Sequence, residues 1–362
     1  MTAASPSPET GWSDAVHGGP DAQGVPLHDF STNSNAAGPC EEALHAVQSA
    51  DPRHYPDPGY AALRGALGAF HGVAPGRVAL AASASEFIHR LTALAVQQGA
   101  RHVAVPLHGF GEYARAAQAR GLSVQRLRAD SPAPLQWACE PSSPLGLGEP
   151  VVRTWAAGAP AAAPAWRVVD CAYVPLRLDA AAPWPAAPVA HGADCWQLWT
   201  PNKALGMTGV RAAYAIAPAD GDAQVQALDA LAPAWPVGAH GVALLQAWVR
   251  PSVQRWRVYS LDTLRSWKAR QEALCIDLGW SVHAGSLANY FCAQPDTAGD
   301  LSALQQALAA LRRSGIKLRD CTSFGLAGSV RLGVLPPAAQ DALRAAWNAL
   351  PRSRRTMPVP SA

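Results

Sequence analysis

Between about residue 40 and residue 235, short apolar runs alternate with alanine-rich helical patterns, and this alternation constrains the fold more than any other feature. "RHVAVPL" reads as a strand, "GEYARAAQARG" as a helix stopped at Gly121, and "SVQRL" as the next strand. "WRVVDCAYV", "CWQLWT" and "VRAAYAIA" are further short apolar runs, each ending near polar residues. A helix between two strands carries the chain back across the sheet, so such strands run parallel. The expectation is an α/β fold with its active residues at the carboxyl ends of the strands. "PAWPVGAH" breaks the pattern near residue 235. A helical stretch over roughly 239–275 follows, then "SLANYFCAQ" as a strand and "DLSALQQALAALRRSG" as a helix closed by Gly315. "IKLRD", "SVRLGVL" and a final helix, "PAAQDALRAAWNAL", complete a smaller α+β unit. Residues 1–28, rich in Pro, Gly and Ser, read as a flexible arm.

Several function classes are set aside. A net charge of +3 is too small for a nucleic-acid surface, and the "PRSRR" cluster sits in a Pro/Ser-rich tail. Seven cysteines, an odd count without a CxxC spacing, argue against a disulfide or metal framework and fit a reducing cytoplasm. "MTAASPSPETGWSD" lacks the basic end and apolar run of a signal peptide. No apolar run reaches the roughly 18 residues of a membrane span.

Lysine is scarce. Only Lys203, Lys268 and Lys317 occur among 29 Lys and Arg residues, so an ordinary surface cation here is an arginine. Lys203 lies in "WTPNKALGMTGVR", where an amine offers chemistry that a guanidinium does not. On its own it is equally a solvated turn lysine. Other stretches suit a pyridoxal-phosphate site, which needs a lysine for its aldehyde and an acid facing its pyridine nitrogen. Asp170 ends the apolar run "VVD", Ala172 leaves room beneath a ring, and Tyr173 is a donor for a phenolic oxygen. Read alone, Asp170 is a strand-end cap and Tyr173 a core residue. "AASASEF" opens a helical pattern, so the amides at Ala84 and Ser85 suit a phosphate, although Ser85 is also a plain N-cap candidate. Thr200 and Arg211 flank Lys203 and complete such a cradle. Phe110, between glycines in "LHGFGEY", is a stacking face or simply core.

Together these stretches resemble fold-type-I pyridoxal-phosphate enzymes of the class I/II aminotransferase family. The resemblance runs from about 17 to 350 and is closest to the branch holding histidinol-phosphate aminotransferase and threonine-phosphate decarboxylase. It is carried by Thr200…Lys203…Gly209-Val210-Arg211, by Asp170-x-x-Tyr173, by "CEPSSPLG" against the family's "TPNNPTG", and by "SLANYF". It implies a mostly parallel large domain over 41–235 and a small domain over 236–362 joined by an arm over 1–40. It further implies Lys203 bound to the cofactor, Asp170 at the ring nitrogen, and Arg331 on the substrate α-carboxylate. A homodimer is implied, with Tyr55 reaching the neighbouring subunit's cofactor phosphate. "HGG" at 17–19, "DFSTNSNAAG", "HYPDPGY" and "GFGEY" resemble the decarboxylase, with Ser31 and Asn33 as substrate contacts. The expected reaction is therefore decarboxylation of O-phosphothreonine for cobalamin synthesis, with a histidinol-phosphate-type transamination as the alternative and a non-catalytic cofactor-binding protein as the third reading. Four departures stand out. Ser143 replaces the family asparagine that donates to the phenolic oxygen, and Asn202 replaces a hydroxyl residue. Ala81, Ala82 and Ser83 replace "GNG", and Leu335 stands where a second arginine is expected.

Overall fold

The structure is a computed structural model that describes residues 17–156, 166–179, 194–297 and 299–351. Its strands in the first half are β1 (His28–Asp29), β2 (Val78–Ala81), β3 (His102–Val105), β4 (Ser123–Arg126), β5 (Leu135–Cys139), β6 (Trp166–Asp170), β7 (Cys195–Trp199) and β8 (Ala213–Ile216). The second half adds β9 (Ser281–Val282), β10 (Tyr290–Gln294), β11 (Ile316–Lys317), β12 (Arg319–Asp320) and β13 (Val330–Gly333).

A seven-stranded sheet runs in the order β2-β8-β7-β6-β5-β3-β4. The pairs from β4 to β7 are parallel, as the helix-strand alternation predicts. β8 is the exception and pairs antiparallel with β7 and β2. The link from Thr200 to Ala212 holds only one helical turn, Pro201–Ala204, and so returns the chain directly instead of crossing the sheet. The inner strands are mainly apolar because helices cover both faces, whereas the edge strand β4, Ser-Val-Gln-Arg, is largely exposed. Side chains alternate between two cores: in β6 and β7, Val168, Trp196 and Leu198 face one, while Val169, Cys195 and Trp199 face the other.

The four-stranded antiparallel sheet β12-β13-β10-β9 encloses a third core around Phe30, Trp280, Leu304 and Trp347. Two expectations change here. The helical stretch over 239–275 is two helices, Ala239–Trp248 and Pro251–Asp277, because Pro251 has no amide to continue the first and suits the start of the second. The arm is also less free than its composition suggests. β1 pairs with β11, and Asp21 is ion-paired with Arg312 at 2.7 Å and Lys317 at 3.0 Å. Residues 1–16 of the arm, and the tail arginines from 352 onward, lie outside the described residues. Among the described residues, no helix is long and apolar enough to cross a membrane.

One buried group makes stability depend on pH. His71 ends the helix Ala61–His71, with Nε2 2.8 Å from the Tyr214 hydroxyl, which also accepts from Trp248 Nε1 at 3.0 Å. Burial pushes its imidazole down from 6.5 to about 4. The folded state thus keeps His71 neutral, whereas the unfolded chain takes up a proton below pH about 6.5. The contribution is complete above that pH and is lost as pH falls toward 4. Between pH 7 and pH 5 it amounts to about 2 kcal/mol. Urea unfolding of wild type and His71→Gln at both pH values should therefore differ in slope by about that amount. Equal pH slopes would mean that His71 accepts a proton in the folded protein.

Candidate active site

The carboxyl ends of β3, β5, β6 and β7 open onto a cavity of about 400 Å³. Cys139 and Asp170 are register partners at the ends of β5 and β6, and both line it. Asp170 is only 4% exposed. The Tyr113 hydroxyl donates to its Oδ2 at 2.7 Å, and the Ala172 amide to its Oδ1 at 3.0 Å. Burial raises this carboxyl above its ordinary range, while the Lys203 charge and the two hydrogen bonds pull it partly back. Lys203 follows β7 in the turn Pro201–Ala204, and its Nζ is 5.6 Å from the Tyr173 ring centroid.

The opposite wall begins at the helix Ala84–Gln97. Its N-cap is Ser83, whose hydroxyl accepts from the Glu86 amide at 3.1 Å, and not Ser85. The amides of Ala84 and Ser85 lie in the first helical turn, before any intrahelical acceptor is available. Both residues line the cavity, as do Thr200 and Arg211. Thr200 Oγ1 is buried with no hydrogen-bond partner among the described residues. Asn202 Nδ2 donates to the Val210 carbonyl at 3.2 Å, which braces the loop that carries Arg211. Phe110 lines the same cavity and meets Tyr113 edge-on at 5.8 Å.

The remaining wall comes from β12, β13 and the N-terminal stretch. Arg331 of β13 donates from Nη1 to Ser143 Oγ at 3.1 Å and from Nη2 to the Ser31 carbonyl at 2.9 Å, and its Nε is buried and unpartnered among the described residues. Ser143 therefore faces the arginine that the resemblance assigns to substrate. The Ser31 hydroxyl accepts from the Gly19 amide at 2.9 Å and donates to Asp29. The "HGG" stretch thus has a physical reason: a Cβ on Gly18 would sit 2.1 Å from the Ser31 carbonyl oxygen. This close pass brings His17 to the cavity, with its ring 5.9 Å from Phe110. Asn33 Nδ2 donates to the Tyr173 hydroxyl at 3.2 Å, and Asn33 Oδ1 is buried without a partner among the described residues.

Of the residues to which the sequence assigned a cofactor or substrate contact, the cavity gathers all but Tyr55. Tyr55 is 77% exposed and stacks on Trp235 with centroids 4.2 Å apart. Leu335 also lies away from the cavity, its amide bonded to Gln271 Oε1 at 3.0 Å. A second arginine is nonetheless present. Arg319 of β12 is the antiparallel register partner of Arg331, lines the cavity, and donates from Nη2 to Ser323 Oγ at 2.7 Å. Burial, with the Arg331 charge beside it, lowers its guanidinium to about 10. Sequence reading passed over it. The available signal was the arginine in the strand-like "IKLRD", but the register with "SVRLGVL" is a tertiary fact.

The profile of the aminotransferase class I and II family matches residues 137–350. The chain belongs to this family. Among its relatives, histidinol-phosphate aminotransferase 2 of Caulobacter vibrioides is 29% identical over 344 residues, covering 88% of this chain and 84% of that one. The structure of histidinol-phosphate aminotransferase from Sinorhizobium meliloti, in complex with pyridoxal 5'-phosphate, matches with a TM-score of 0.75 at 22% identity over 89% of each chain. L-threonine-O-3-phosphate decarboxylase from Porphyromonas gingivalis matches with a TM-score of 0.70 at 18% identity, over 89% of this chain and 98% of that one. The last two establish the shared fold.

Pyridoxal phosphate is the cofactor of class I and II aminotransferases, and the cavity fits it. The buried orphan Thr200 hydroxyl, sharing the cavity with the helix N-terminus and Arg211, suits a phosphate, and a buried carboxylate sharing it with an amine suits the ring nitrogen and aldehyde.

Proposed function

We propose that this enzyme is an aminotransferase of the histidinol-phosphate type, with Lys203 as its covalent anchor and proton carrier. The observation that carries the reading is the Arg319–Arg331 pair, two guanidinium groups from adjacent strands in the same cavity as Lys203 and Asp170. An aminotransferase takes two substrates in turn. Two guanidinium groups suit both the phosphate of histidinol phosphate and the two carboxylates of 2-oxoglutarate. The Caulobacter relative supports transamination better than the decarboxylation that the N-terminal motifs suggest.

The chain's own groups divide the work. The amides of Ala84 and Ser85, Thr200 and Arg211 would hold the cofactor phosphate, and Phe110 would cover the ring. Asp170 would keep the ring nitrogen protonated, and Tyr173 would donate to the phenolic oxygen. When bound, the cofactor supplies an electron sink for the pair left by a breaking bond at the substrate α-carbon. The Lys203 amine, in the same cavity, would carry the proton taken from the substrate α-carbon. Arg331 orients the substrate, and its partner Ser143 fixes the guanidinium.

Decarboxylation of O-phosphothreonine is kept as a second reading because Gly18 and Gly19 pack on Ser31, as the "HGG" and "DFSTNSN" motifs require. Purified protein loaded with pyridoxal phosphate should convert 2-oxoglutarate to glutamate only when histidinol phosphate is present as amino donor, and should release little carbon dioxide from O-phosphothreonine. Rapid carbon dioxide release without glutamate formation would reverse the assignment. We also propose a homodimer in which Tyr55 serves the neighbouring site, and a cytoplasmic location in keeping with seven free thiols. A fully active monomer in light scattering would remove the role of Tyr55.

A further inference from the structure

Tyr113 does not line the cavity, yet it is tied to the residue on which the cavity's chemistry depends. It sits in the helix Glu112–Gln118, 57 residues before Asp170, and its hydroxyl donates to Asp170 Oδ2 at 2.7 Å. Its ring is buried, stacked on Trp137 with centroids 4.9 Å apart and planes 10° apart, and met edge-on by Phe110. Burial and these two ring contacts hold the side chain in place. The Ala172 amide takes the other oxygen of Asp170, so the carboxylate is held at both ends.

The groups around Asp170 are Lys203, Tyr113 and the thiols of Cys139 and Cys171. Only Lys203 and Tyr113 among these side chains favour its anion. Lys203 is committed to the cofactor, which leaves Tyr113 as the side chain dedicated to the carboxylate.

We propose that Tyr113 is a positioning residue whose hydroxyl locks the Asp170 rotamer and keeps it an anion, so that its remaining lone pairs meet the protonated ring nitrogen of the cofactor. The proposal rests on the reading that Asp170 faces that nitrogen. It goes further by placing part of the control of the cofactor's electronics outside the cavity wall. It also gives a reason for a tyrosine where a phenylalanine would fill the same space against Trp137.

The test is a titration of the apoprotein with pyridoxal phosphate, followed by absorbance across pH 6–9, for wild type, Tyr113→Phe, Trp137→Phe and Asp170→Asn. Without the hydroxyl, Asp170 gains a proton at higher pH. Tyr113→Phe should therefore bind the cofactor about tenfold more weakly, with the acid limb of its affinity curve displaced upward by about one pH unit. Trp137→Phe loosens the stack but spares the hydroxyl, so its acid limb should stay with wild type. Asp170→Asn should bind weakly at every pH, with no acid limb. If Tyr113→Phe follows the wild-type curve while Asp170→Asn is weak, the Tyr113 proposal fails and the Asp170 reading stands. If Trp137→Phe moves the acid limb as far as Tyr113→Phe, packing is the cause and the proposal also fails. Wild-type affinity in Asp170→Asn would remove the reading beneath it.

Discussion

Lys203→Ala should lower turnover by at least about 10³-fold, because in the proposed reading one amine both anchors the cofactor and moves the α-proton. Borohydride reduction of the loaded wild type, followed by peptide mapping, should place the phosphopyridoxyl group on Lys203. The other two lysines are poor candidates for definite reasons. Lys268 is buried, and burial lowers its pKa, which by itself is a mark of a nucleophile. Its Nζ, however, donates to the Ser286 and Ala288 carbonyls at 2.5 and 3.0 Å, and it does not line the cavity. Lys317 is occupied by Asp21 and the Gly19 carbonyl. A label on either would displace the whole site.

Arg331→Ala should be the next most damaging change. It removes a guanidinium from a buried position and leaves the Ser143 hydroxyl and the Ser31 carbonyl without its donors. Truncating one partner of a buried charged contact costs about 2–5 kcal/mol, or roughly 30-fold to several thousand-fold in kcat/KM. Arg331→Lys should recover little, since an ammonium does not reproduce the planar two-point geometry. Arg319→Ala should act mainly through KM, and more on a phosphorylated substrate than on a substrate with a single carboxylate. Steady-state kinetics with both substrate types reads the difference. An unchanged kcat/KM in Arg331→Ala would mean that the substrate anion binds elsewhere.

The substitutions noted in the sequence have different structural outcomes. Leu335 looked like a lost anion contact, but Arg319 brings a second guanidinium from the neighbouring strand. Asn202 replaces a hydroxyl, and its amide braces the Thr208–Val210 stretch instead. Ser143 is shorter than the family asparagine, and its hydroxyl is engaged by Arg331. Ser143 thus takes its use from a partner 188 residues away, whereas Asn202 braces a stretch six to eight residues on.

The sequence alone determined most of the elements and the cofactor chemistry. Strand and helix periods are local, so the alternating runs around β3, β4, β6 and β7 reveal a parallel sheet and place Asp170 and Thr200 at strand ends. The Thr200, Lys203 and Arg211 spacing is equally local, because one turn and one loop bring all three to the same edge. The tertiary structure decided everything that depends on which elements are neighbours. The antiparallel return of β8, the Arg319–Arg331 register, the Tyr113–Asp170 bond and the 188-residue link from Ser143 to Arg331 all belong to this group. The physical reason is that a residue's period specifies the face it presents, whereas its partner is specified only when whole sheets and helices pack and bury their apolar faces together.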